Sequence, residues 1–133
     1  MTGLSRTLAF HPALNLVELN EELPAGFKLG EQEVQAIEEK ISLYSMGVAR
    51  RNTDFKHLVG FAAWNLIELR WDFEAGPHRN SVRLLGAETA KTKTVFLLWH
   101  VKNPLEELEV QRKKQNEACE KAIERMKSID VSH

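Results

Sequence analysis

The hydrophobic and polar positions of the chain fall into segments of two different periods. From Glu31 onward Val34, Ile37, Ile41 and Tyr44 recur at spacings of three, four and three, which is one stripe of an amphipathic helix. Glu31 and Glu33 sit in its first turn, where their charge complements the helix dipole, and Gly47 is a natural stop. Further on, Ile67, Leu69 and Trp71 alternate with Glu68, Arg70 and Asp72, the period of two that marks a half-buried strand. Ser81–Gly86 and Thr94–Val101 read as two more strands. The second holds the most apolar run in the chain, Val95-Phe96-Leu97-Leu98-Trp99, and so belongs at the centre of a sheet. The polar segment Ala87–Lys93 reads as a flexible connection, Glu74-Ala75-Gly76-Pro77 as a turn and Ala49–His57 as a loop.

The two ends complete the outline. Leu4–Phe10 is a short candidate strand ended by His11-Pro12. Leu14, Leu16, Val17, Leu19 and Leu23 suit a short helix that stops at Pro24-Ala25-Gly26. Near the C-terminus Ala118, Ala122, Ile123, Met126 and Ile129 form one apolar helix face. The order is strand, two helices, three antiparallel strands, helix. That predicts an α+β domain in which two N-terminal helices and a C-terminal helix pack on a small antiparallel sheet. No repeat, low-complexity tract or Gly/Ser-rich linker divides residues 1–133, so a single domain is expected.

Composition changes this picture little, but charge sharpens it. At 133 residues the chain can bury a core without disulfide or metal staples. Its net charge of −1 excludes a uniformly basic protein that coats nucleic acid. The average conceals a gradient: residues 1–46 sum to −4, residues 47–103 to +4 and residues 104–133 to −1. A positive middle third points to a local anionic partner. The one cysteine, Cys119, has no partner for a disulfide, and the N-terminal residues lack the charged-then-apolar pattern of a secretory signal. A cytoplasmic location is expected.

The candidate chemistry is narrow. His57, His78, His100 and Cys119 stand 21, 22 and 19 residues apart, with none of the spacings that clamp zinc, so neither a metal nor another cofactor is expected. Phosphate-binding glycine loops and the hydrolase nucleophile motif are absent from the sequence. What remains is a basic set: Arg70 on the alternating strand, Arg83 within Ser81–Leu85, and His100 and Lys102 at the end of the long apolar strand. If these strands are neighbours, Arg70, Arg83 and Lys102 converge on one sheet edge as a preorganised phosphate site. The plainer alternative is that each is neutralised by Glu68, Asp72 or Glu88.

Four segments in order carry a resemblance: NLIELRW (65–71), SVRLL (81–85), VFLLWHVKN (95–103) and ACEKAIERM (118–126). Together they resemble the phage-derived branch of the RelE/HigB toxin superfamily, and ELNEELP (18–24), the helix from Glu31 and Lys56-His57-Leu58 fall in the same order. The resemblance implies a RelE-like fold and a ribosome-dependent mRNA endonuclease. Such enzymes cleave by attack of the 2′-hydroxyl on the adjacent phosphate, and a cognate antitoxin neutralises them. It places transition-state phosphate stabilisation on Arg83 and puts Lys102 in the catalytic set. His100, which shares a face with Lys102 and has an intrinsic pKa suited to acid–base work, joins them on its own chemistry, at a position where the family often has an aromatic. RNA binding falls on Arg70 and Lys56, with Lys113 and Lys114 offered to ribosomal RNA. The expected partners are therefore an antitoxin, the ribosome and mRNA.

The sequence departs from the family pattern at Val82 and Val101, where aromatics are usual, and in a longer, more acidic segment, Pro104–Lys114, ahead of the last helix. These departures keep a second class in view: a non-catalytic binding protein on a RelE/ParE-type scaffold. It would inhibit gyrase or another host protein, or be a degenerate toxin held only in a complex.

Overall fold

A computed structural model describes residues 5–23, 29–58, 64–75, 78–103 and 105–131. The elements run β1 (Thr7–Phe10), α1 (Leu16–Glu22), α2 (Glu31–Ser45), β2 (Phe55–His57), β3 (Leu66–Ala75), β4 (His78–Ala90), β5 (Lys93–Lys102) and α3 (Leu108–Val131). The five strands form one sheet in the order β1-β5-β4-β3-β2, so the α+β reading stands. The most apolar strand, β5, pairs along its whole length with β4.

Alternation and helix periodicity account for these elements. Asn15 caps α1 by accepting from the Glu18 amide at 2.9 Å. Gly47, at φ 78°, follows the last turn of α2 in the left-handed region that a glycine enters without strain. On one face of the sheet Ile67, Leu69, Trp71, Val82, Leu84, Phe96 and Trp99 meet Leu19 of α1 and Ile37 and Tyr44 of α2. On the other, Leu66, Leu85, Ala87, Leu97 and Leu98 lie beneath Cys119, Ala122 and Met126 of α3. The sheet is thus a middle layer with a core on each side.

Four expectations are corrected. The segment Ala49–His57 is not wholly a loop, because Phe55–His57 pairs with Ile67–Leu69 as the far edge strand. The presumed flexible connection Ala87–Lys93 is mostly hairpin: β4 continues to Ala90 and β5 begins at Lys93. Backbone pairing offsets its polar composition, and only a short turn remains. Pro104–Lys114 is helical from Leu108, with Glu109, Arg112, Lys113 and Lys114 exposed on α3. Lastly, β1 runs parallel to β5, with Thr7–Phe10 against Lys93–Phe96, so the sheet is mixed. The chain can return in parallel because α1 and α2 follow β1 in sequence before the remaining strands begin. Of the turn expected at 74–77, Gly76 and Pro77 lie outside the described residues, as do Leu4 and Pro24-Ala25-Gly26.

Candidate functional site

The same alternation that buries Ile67, Leu69 and Trp71 turns Glu68, Arg70 and Asp72 to the face that carries α3. The antiparallel register then aligns polar side chains across strands. Arg70, Arg83 and His100 form one row, and Asp72, Ser81 and Lys102 the next. Lys56 of β2 stands opposite Glu68. Helix α3 covers the apolar part of this face, and its first turns run beside His100 and Lys102. Among the described residues, four cations, Lys56, Arg70, Arg83 and Lys102, therefore share a face with two carboxylates, Glu68 and Asp72. A positive excess remains.

Arg83 is the buried centre. It is 5% exposed, and its Nε lies 3.8 Å from the fully buried Glu68 carboxylate, while Nη1 lies 3.9 Å from Asp72. Lys56 Nζ approaches the same Glu68 oxygen at 3.5 Å. These are ion pairs without hydrogen bonds: both Glu68 oxygens, Arg83 Nε and Nη1, and His100 Nε2 are buried and unbonded. Buried polar groups are ordinarily satisfied, so unused donors and acceptors gathered on one face make it the candidate site. Ser81 Oγ donates to Asp72 Oδ1 at 2.8 Å, fixing that carboxylate at the rim.

Burial and crowding tune the titratable groups. Burial lowers the Arg83 pKa, with Glu68 opposing, although a guanidinium stays charged under any ordinary condition. Lys102 is lowered first by burial and then by Arg83, Lys56 and Arg70, with Glu68 opposing. His100 falls to about 4, through burial and then the nearby Lys102, Arg83 and Lys114. At neutral pH it is an uncharged imidazole, suited to hydrogen bonding or to accepting a proton but not to donating as an imidazolium.

The basic residues converge as a group across a sheet face, not along an edge. Arg70, Arg83, His100, Lys102 and Lys56 are brought together. Lys114 lines a groove of about 710 Å3 between β5 and the start of α3, beside His100 and Lys102, where Glu106 pairs with it at 2.7 Å. Lys113 is exposed on α3 and does not line that groove. Comparison with known proteins returned no matching family model, no matching curated protein and no matching solved structure. The two departures from the toxin pattern have a structural setting. Val82 and Val101 are cross-strand partners on the opposite, core face, so neither position borders the cationic rows.

Sequence reasoning treated Glu68 and Asp72 only as neutralising partners of the cations. Their alternation with Trp71 was the available signal that both belong to the site. Trp71 and Trp99 are each 5% exposed and bond through Nε1 to the Ala36 and Asn15 carbonyls, which makes them core residues. Cys119 is buried, and burial raises its thiol pKa to about 11, so it is unsuited to act as a nucleophile. Among the described residues no group of His, Cys, Asp and Glu has the geometry to hold a metal ion, and no helix is long and apolar enough to cross a membrane.

Proposed function

We propose that this protein is a toxin-like, ribosome-dependent mRNA endonuclease of the RelE/HigB type, acting in the cytoplasm and neutralised by an antitoxin that covers the cationic face. The observation that carries the reading is the row Arg70–Arg83–His100 flanked by Lys56 and Lys102, cations held on separate strands of one rigid sheet. Preorganised positive charge of this kind stabilises the extra negative charge of a pentacoordinate phosphate at little reorganisation cost. Arg83 would bind the scissile phosphate, and Lys102, its pKa lowered by burial and by the neighbouring cations, would protonate the departing 5′-oxygen. Arg70 and Lys56 would hold flanking phosphates. Neutral His100 would act through hydrogen bonds to the substrate or to its row partner Arg83.

The test is cleavage of a ribosome-bound message by purified protein, mapped by primer extension. Wild type is expected to cut within the ribosomal A site. Lys102→Ala should slow cleavage by about 10²-fold or more, and Arg83→Ala by about 10²–10³-fold. Because Arg83 is buried against Glu68, each variant is first checked for an unchanged circular dichroism spectrum, and Arg83→Lys serves as the gentler probe. Intact messages with folded wild-type protein would overturn the proposal in favour of a non-catalytic inhibitor.

A further inference from the structure

Cleavage by a 2′-hydroxyl needs a base to take its proton, and the cations above supply none. Three groups on the face can accept one. Glu68 is 0% exposed and shut in by Lys56 and Arg83, so a ribose cannot reach it. His100 is 8% exposed with Nε2 buried. Asp72 differs from both: its side chain is 62% exposed, and among the described contacts it uses only Oδ1, which accepts from Ser81 and lies near Arg83. Its second oxygen is left to accept a proton.

Resting on the function proposed above, we infer that Asp72 is the general base, paired with Lys102 as the general acid across a phosphate seated over Ser81. The row Asp72–Ser81–Lys102 spans three strands. Two strand spacings separate its outer members by about 9–10 Å at the backbone. An in-line displacement places the entering and leaving oxygens on opposite sides of phosphorus, each within about 3 Å of its proton partner. Backbones about 9–10 Å apart let a carboxylate on one and an ammonium on the other flank one phosphate between them. Ser81 at the middle is small and holds Asp72 through its hydroxyl, while Arg83, one row behind, sets Nη1 3.9 Å from the same carboxylate.

The chemistry balances. Asp72 removes the 2′-hydroxyl proton as that oxygen attacks phosphorus, the bond to the 5′-oxygen breaks, and Lys102 protonates the leaving oxygen. The products are a 2′,3′-cyclic phosphate and a 5′-hydroxyl, and Asp72 and Lys102 regain their starting states through water. Among the described residues, the cations that face Asp72 are Arg83 on β4, its Nη1 3.9 Å away, and Lys40 on α2.

The experiment compares wild type, Asp72→Asn and Ser81→Ala in single-turnover cleavage of a ribosome-bound message. Binding to the same complex is measured in parallel, with a 2′-O-methyl group blocking the scissile nucleotide. Asp72→Asn should cut at least about 10²-fold more slowly while binding as tightly as wild type or tighter. Its residual rate should climb with pH as hydroxide replaces the carboxylate. Ser81→Ala should show a smaller loss. Wild-type cutting with undiminished Asp72→Asn cutting overturns this inference alone, and so does a parallel loss of binding. If wild type itself does not cut, the function proposed above falls and takes the inference with it.

Discussion

His100 shows how a single residue couples the site to stability. Its imidazole is 8% exposed and held neutral, with a pKa of about 4 against 6.5 in an unfolded chain. Between those two values the unfolded chain binds a proton that the fold excludes. The native state is therefore favoured fully above about pH 6.5 and loses stability as pH falls toward 4, by about 3 kcal/mol in total. His100→Asn should flatten the dependence of the urea midpoint on pH across that window; an unchanged slope would show that other groups govern it. Glu68 has the complementary role, a buried carboxylate that keeps Arg83 and Lys56 from repelling one another without forming a hydrogen bond to either. The residue types were legible in the sequence, and so was the face that Glu68, Arg70 and Asp72 share. Which of the carboxylates is sealed and which is open was not, because exposure depends on side chains contributed by other strands.

At the scale of elements, the decisive feature is a bulge in β5. Leu85 faces Leu98 but Gly86 faces Phe96, so Leu97 is an extra residue. Leu97 and Leu98 consequently both pack under α3, while Phe96 and Trp99 point to the other core. Strict alternation from Phe96 onward would have turned His100 and Lys102 into the α1–α2 core. The bulge moves them to the charged face instead. Gly86 is required there: a β-carbon would stand 2.9 Å from the Phe96 ring and 3.0 Å from the Val95 carbonyl, and the latter is backbone that cannot swing aside. Gly86→Ala should cost about 1–3 kcal/mol in chemical denaturation and, under the function proposed above, slow cleavage by shifting His100 and Lys102 against Arg83. Full stability in that variant would mean that the strands part easily. Nothing in the run VFLLWHV announces a bulge, since every residue in 95–99 is apolar and fits either face.

For the whole molecule, one contact ties the layers together. Arg125 of α3 makes a two-pronged ion pair with Glu18 of α1, at 2.9 and 2.8 Å, and donates to the Leu97 carbonyl at 2.8 Å. It closes the side of β5 just beyond Phe96, where β1 pairing ends. Arg125→Ala leaves a carboxylate and a carbonyl unpaired and should destabilise the fold by about 1–3 kcal/mol, read as a lower urea midpoint. A midpoint equal to that of wild type would assign the joining of the layers to the cores alone. The +4 middle third likewise gains its meaning only at this scale: β2 to β5 all fall within it, and folding brings Lys56, Arg70, Arg83 and Lys102 to one face while the acidic N-terminal helices lie across the sheet. Hydrophobic periodicity is a local property, so the chain by itself determined the helices, the central strands, the α+β class and the residues facing away from the core. Register, the bulge, the parallel return of β1 and the pairing of Asp72 with Lys102 across Ser81 join residues far apart in sequence. Only the tertiary structure decided them, because each depends on which strand lies beside which.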